Sequence, residues 1–99
     1  MQYIVIGRDG KDERALERRM AARSAHIELT EKLVVEGKQL FAVAILNEEG
    51  KMCGSIIIVD YPTREELDAW LRVEPYVTGN VWEQIEITPC KVGPSFAKK

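Results

Sequence analysis

The sequence holds a single histidine, His26, and only two cysteines, Cys53 and Cys90. That scarcity excludes a finger-type metal site, and the two thiols show no CxxC spacing. Both fall in apolar, strand-like stretches, which predicts reduced buried thiols rather than a disulfide or a metal site. No apolar run approaches the roughly 20 residues of a membrane-spanning helix. Met1 to Gly7 lack the basic stretch and long apolar stretch of a signal peptide, so a cytoplasmic protein is expected. Positive charge is not in excess. Fourteen Lys and Arg against sixteen Asp and Glu give a net charge of −2, whereas phosphate-backbone binding needs concentrated Lys and Arg. Neither nucleic acid nor membrane is expected as a partner. Asp9, Asp12 and Glu13 cluster without a metal-ligand pattern and read as a solvated loop. No metal or cofactor is expected.

What is present is ordinary globular material. Ninety-nine residues, 45% apolar and 30% charged, make one domain with one modest core. Tyr3 to Ile6 is a β-branched run closed by Gly7, a short buried strand. A polar loop over Arg8 to Asp12 leads into a helical pattern from Glu13 to Glu36, capped by Gly37. Twenty-four helical residues would span about 36 Å, while a domain of this size has a radius of gyration of only about 13 Å. A break is therefore predicted near Arg23-Ser24, with Ser24 as the N-cap of a second piece. Leu16 and Met20 then face inward on the first piece; Ala22, Ala25, Leu29 and Leu33 follow helical spacing on the second.

Leu40 to Leu46 and Met52 to Asp60 are strands joined by a turn at Asn47 to Gly50. Thr63 opens the next helix, with Glu66 three residues on as a capping box. Leu67, Trp70 and Leu71 supply its apolar face. Glu74-Pro75 ends that helix and starts a single further turn. Val81 to Lys91 is the last strand. The predicted fold is α+β, a ferredoxin-like β-α-β-β-α-β order with both long helices on one face of a four-stranded antiparallel sheet. The predicted domain is 1–91, followed by a polar-ended tail over 92–99.

The sheet is apolar on both faces by alternation. Leu40, Ala42, Ala44 and Leu46 oppose Phe41, Val43 and Ile45; Ile57 and Val59 oppose Ile56 and Ile58; Val81, Ile85 and Ile87 oppose Trp82. A second apolar face needs a cover. A two-fold homodimer stacking sheet on sheet is the simplest one, and a ligand pocket is the other candidate.

His26 shares a helical face with Leu29 and Leu33 and so points toward the sheet. With Ser24 as a cap, His26 would lie in a first helical turn beside Arg23, a setting suited to a small carboxylate or phosphate. The plainer reading is a hydrogen-bonded histidine at the core margin. Tyr76 and Trp82 could wall a pocket and stack on a flat substrate, or simply pack. Ser55 could offer a hydroxyl, but a small packing residue is the simpler reading, and nothing marks a nucleophile elbow. Cys53 to Ile58 carries no aromatic, unlike the base-stacking third strand of RNA-recognition domains.

Arg23-Ser24-Ala25-His26 resembles the Arg-Pro-x-His segment of the YCII-related (YciI-like) family. Gly54-Ser55, Ala69-Trp70, Glu74-Pro75-Tyr76-Val77 and Val81-Trp82-Glu83 are similar to the segments that follow in that family, in the same order, from about Tyr3 to Lys91. The resemblance implies a fold of the dimeric α+β barrel type, related to muconolactone isomerase. It also implies a suspected active site built on a His–Asp dyad. The histidine is His26, and Glu74 stands at the aspartate position. Two further departures are Ser24 in place of proline and Val43-Ala44 in place of a Gly-Pro pair. Glutamate is a poorer N-cap than aspartate, which argues against a structural role for Glu74.

Two functions follow. One is a small cofactor-free isomerase, lyase or hydrolase acting on a carboxylated metabolite. His26 and Glu74 would be its dyad, and Arg23, Ser24, Tyr76 and Trp82 would contact substrate. The other is a non-catalytic ligand-binding or accessory dimerisation domain.

Overall fold

The computed structural model describes residues 1–97. Its elements are β1 (Gln2–Asp9), α1 (Ala15–Val35), β2 (Gln39–Leu46), β3 (Met52–Asp60), α2 (Arg64–Leu71), α3 (Pro75–Thr78) and β4 (Trp82–Cys90). The strands form one antiparallel sheet in the order β2-β3-β1-β4. This is the β-α-β-β-α-β, ferredoxin-like α+β fold, with the helices on one face. Among the described residues no helix is long and apolar enough to cross a membrane. Of the tail, 92–97 is described and its last two residues lie outside the described residues.

Register explains what each face carries. Val5, Ile57, Ala42 and Ile87 form one cross-strand row beneath the helices. The next row is Gly7, Ser55, Ala44 and Ile85. Three of those four side chains are small, so the helix-facing surface dips there. Trp82 fills part of the dip. A Cβ on Gly7 would lie 2.3 Å from the indole, so only glycine lets the ring settle on the strand. The open face carries Ile4, Ile58 and Phe41 in one row and Ile6, Ile56 and Val43 in the next.

Four expectations need correction. First, α1 does not break at Ser24 but runs unbroken for 21 residues. The molecule is elongated, 42 × 27 × 21 Å, and a helix of about 32 Å fits along its long axis. Radius of gyration was the wrong yardstick for an anisotropic body. Second, Met20 is half exposed and Arg19 occupies the inward position. The stripe facing the sheet is Ala15, Arg19, Ala22, His26, Leu29 and Leu33, at alternating spacings of four and three.

Third, β1 continues through Asp9, which is buried rather than solvated. Fourth, Trp82 does not oppose Ile85 and Ile87. Asp9 pairs with Trp82 and Arg8 with Gln84, so Glu83 is an extra residue. That bulge turns Trp82 onto the helix-facing side. Elsewhere the local signals act as expected. Gly37 (φ 75°) closes α1, Gly50 (φ 78°) closes the β2–β3 turn, and the Thr63 hydroxyl accepts from the Glu66 N–H at 3.2 Å.

Candidate active site

One face of α1 delivers Arg19, Arg23 and His26 toward the dip in the sheet, spaced so that each follows the last by about one turn. The segment between α2 and α3 approaches from the other side. Pro75 cannot continue α2, and it fixes the start of α3. Glu74 then sits as N-cap of α3, its Oε2 accepting from the Tyr76 N–H at 2.8 Å. Glutamate therefore does cap here, against expectation. Its extra methylene lets the carboxylate fold back onto α3 while still reaching α1.

The same Oε2 lies 2.7 Å from His26 Nδ1. Glu74 is fully buried and the His26 side chain is 13% exposed. A carboxylate only accepts, so Nδ1 carries the hydrogen and donates it. Nε2 is left as the ring atom that can take or give a proton. Glu74 Oε1 has no hydrogen-bond partner among the described residues. A carboxylate held out of water with so few donors draws strongly on the imidazole N–H.

Tyr76 holds the ring flat. Its phenol ring stacks on His26 at 3.9 Å between centroids and 15° between planes. Trp82 meets Tyr76 edge-on at 5.7 Å. Burial pushes the Tyr76 phenol up, against the pull of Arg19 and Arg23. Arg19 lies over the same ring, with Cζ 4.6 Å from its centroid.

Arg19 itself is buried. Its Nη1 donates to both carboxylate oxygens of Asp9 at 3.0 and 3.2 Å, and its Nη2 donates to Ser55 Oγ at 2.8 Å. Burial pushes the Asp9 carboxyl up, while the charge and hydrogen bonds of Arg19 pull it back. Asp9, Arg19 and Ser55 thus form a buried polar cluster that touches the His26–Tyr76–Glu74 cluster through the Tyr76 ring.

A cleft of about 250 Å³ opens beside these groups. Arg19, Arg23, His26, Ser55 and Tyr76 line it, and Ala42 and Ala44 of β2 form an apolar wall. Of the residues expected to contact substrate, Arg23 and Tyr76 reach the cleft. Ser24 is exposed on α1 outside it, and Trp82 backs Tyr76 without lining it. Arg23 is exposed, and no carboxylate pairs with it among the described residues. A larger hollow of about 580 Å³ lies near the β2–β3 turn, bordered by Lys11, Asp12, Glu49 and Lys51 and holding neither dyad residue. Among the described residues no group of acidic, histidine and cysteine side chains could hold a metal. Cys53 and Cys90 are free, half-buried thiols.

Sequence reasoning passed over Arg19, took Asp9 for a solvated loop residue and undervalued Ser55. The signal was there. Continuing the Leu33, Leu29, His26, Ala22 stripe backward at helical spacing lands on Arg19.

Comparison with known proteins bears on family and fold. The signature described as the YCII-related domain matches residues 1–91. Protein YciI of Escherichia coli O6:H1 is 31% identical over 97 residues, covering 92% of this chain and 97% of that protein. An uncharacterised protein of Haemophilus influenzae is 28% identical over the same coverage. Among solved structures, 5-chloro-2-hydroxyhydroquinone dehydrochlorinase (TftG) of Burkholderia phenoliruptrix AC1100, in complex with 2,5-dihydroxybenzoquinone, superposes with a TM-score of 0.82. It covers 98% of this chain and all of its own, at 18% identity, a likeness of fold.

Proposed function

The chain belongs to the YCII-related family, and we propose that it is a small acid/base enzyme that moves a proton on a small carboxylated metabolite. The reaction class is isomerisation, elimination or hydrolysis. The observation that carries this reading is the 2.7 Å contact between His26 Nδ1 and the fully buried Glu74 carboxylate. A carboxylate on Nδ1 fixes the tautomer and stabilises the imidazolium that forms when Nε2 accepts a proton. The resemblance implies an aspartate at this position, and the glutamate here reaches the histidine. Arg23 at the cleft supplies a free cation for a substrate carboxylate. Tyr76 keeps the imidazole in plane. The 250 Å³ cleft is slightly smaller than ordinary ligand pockets of about 300–1,000 Å³, which suits a molecule of about one ring. The fold is shared with a dehydrochlorinase, an enzyme. The proposal includes a two-fold homodimer through the open sheet face.

One observation favours a second reading. Glu74 also caps α3, so its bond to His26 could serve only to tie α3 to α1, in a non-catalytic binding domain. Because the chain has one histidine, NMR tests the pairing on which both readings rest, and turnover separates them. Ring-nitrogen signals of His26 should report a fixed Nδ1–H tautomer in wild type that is lost in Glu74→Gln. His26→Ala then abolishes any turnover found in a screen of small organic acids. A tautomer that ignores Glu74 removes the dyad, and turnover that survives His26→Ala leaves the binding domain.

A further inference from the structure

The Ser55 hydroxyl is fixed as a donor. Ser55 is buried on β3, and its Oγ accepts the Nη2–H of Arg19 at 2.8 Å. A hydroxyl has one hydrogen and two lone pairs. With a lone pair taken by Arg19, the hydrogen needs an acceptor, and none lies within reach among the hydrogen bonds of the described residues. Ser55 lines the same cleft as His26. Its cross-strand neighbours Gly7 and Ala44 are too small to cover it.

Arg19 does not compete for the substrate. Asp9 balances its charge, and both side chains are 3% exposed. What Arg19 can do is polarise the hydroxyl, because a donor that accepts from a cation becomes a stronger donor. Two guanidinium groups near one cleft thus have different work. Arg23, exposed and unpaired, offers net charge; Arg19, buried and neutralised, offers only direction and polarity.

We propose that Ser55 is a substrate-binding hydrogen-bond donor for an oxygen that gains negative charge in the reaction, with Arg19 as its positioning residue. This deepens the acid/base reading and rests on it. When His26 Nε2 removes a proton from carbon, the electron pair left behind moves onto a conjugated carbonyl oxygen. Ser55 Oγ–H stabilises that enolate. Returning the proton from Nε2 to another carbon re-forms the carbonyl, with no net change in atoms or electrons. The substrate class narrows to small carboxylates that carry a carbonyl or an acidic hydroxyl in conjugation with the site of proton loss. Preorganised donors of this kind act where charge develops rather than on the ground state.

The test uses two probes and the intact chain. 4-Hydroxy-3-nitrobenzoate carries a carboxylate and, when ionised, a coloured phenolate; 3-nitrobenzoate lacks the hydroxyl. Above the titration range of the free phenol, wild type should bind the phenolate probe more tightly than 3-nitrobenzoate. In Ser55→Ala that preference should fall by roughly tenfold to a hundredfold, the worth of a hydrogen bond to a charged group. Binding of 3-nitrobenzoate should not change, which also reports an intact cleft. Ser55→Thr keeps a hydroxyl and should keep the preference and the visible band shift of the bound phenolate. A preference unchanged in Ser55→Ala overturns the proposal, as does failure of wild type to bind either probe. The His26 tautomer in Glu74→Gln is read independently of both probes. A Ser55 effect without dyad coupling leaves Ser55 as a binding contact and removes the acid/base reading; dyad coupling without a Ser55 effect does the reverse.

Discussion

Arg19 and Asp9 show what one buried pair asks of its neighbours. Two charges out of water cost several kcal/mol each, and their attraction offsets this only when geometry and further hydrogen bonds are good. Here Asp9 and Ser55 engage Nη1 and Nη2, and Tyr76 supplies a ring face, while Nε has no partner among the described residues. Asp9→Ala should therefore cost about 3–5 kcal/mol in urea unfolding, because it strands a buried guanidinium. Adding Arg19→Met should recover most of that loss, since an apolar side chain of similar length needs no partner. A double variant no more stable than Asp9→Ala alone would mean that Arg19 contributes by packing rather than charge. Arg19 was legible only as the backward continuation of the α1 stripe, and Asp9 was not legible. Charged side chains are assigned to solvent by default, and their pairing joins β1 to α1 across a turn that spacing does not describe.

Tyr61 is the second residue whose environment makes a prediction. Its hydroxyl is buried without a partner among the described residues, and burial, with Glu36, Glu74 and Glu66 adding, pushes its phenol up to about 12 from 10.0. The folded chain holds that proton more tightly than the unfolded one. Its contribution to stability is full below pH 10 and is lost as pH rises from 10 to about 12. Tyr61→Phe should flatten the stability profile in that window. At neutral pH it should be neutral to mildly stabilising, because it removes an unsatisfied buried hydroxyl. Urea unfolding at pH 7 and at pH 11 reads both effects, and an unchanged alkaline slope would remove Tyr61 as its cause.

At the scale of elements, caps and turns were legible and helix continuity was not. Thr63, Gly37 and Gly50 act through local backbone geometry, which sequence states directly. Whether α1 ends at Ser24 depends on the length of the whole body, which sequence does not state. The bulge at Glu83 was hidden for a similar reason, because a one-residue slip is visible only in the partner strand. Two alanine substitutions separate a cap from a mid-helix serine. Thr63→Ala should cost about 1 kcal/mol, as loss of an N-cap does. Ser24→Ala should instead raise stability by a few tenths of a kcal/mol, because alanine is the better helix former in an exposed interior turn. A loss near 1 kcal/mol at Ser24 would restore the broken helix.

The candidate site divides along the same line. The pairing of His26 with Glu74 was reached through the resemblance, and Arg23 and Tyr76 do stand at the cleft. Ser24 and Trp82 do not, for two different reasons. Ser24 follows Arg23 by one position, a rotation of about 100° around the helix, which carries it off the cleft-facing side. Trp82 is turned under the helices by the bulge and reaches the cleft only through Tyr76.

At the scale of the whole molecule the open sheet face is where the proposed two-fold assembly is tested. Its apolar rows span β2, β3 and β1, from Phe41 and Val43 through Ile56 and Ile58 to Ile4 and Ile6. On β4 the same rows end in Thr88 and Glu86. A copy stacked on this face would therefore centre on β3 and β1 and leave β4 at a polar rim, the division of apolar centre and polar edge found in stable interfaces. Phe41 is the sharpest probe because it is 68% exposed in the single chain. A charge there costs an isolated protomer little, so any large effect of Phe41→Glu reads the interface and not the fold. Wild type should sediment as a dimer. Phe41→Glu should sediment as a monomer with unchanged far-UV circular dichroism, and its unfolding midpoint should lose the dependence on protein concentration that a dimer imposes. A wild type that sediments as a monomer across the micromolar range would leave the open face without the partner that its composition calls for, and the two-fold assembly would have to be given up.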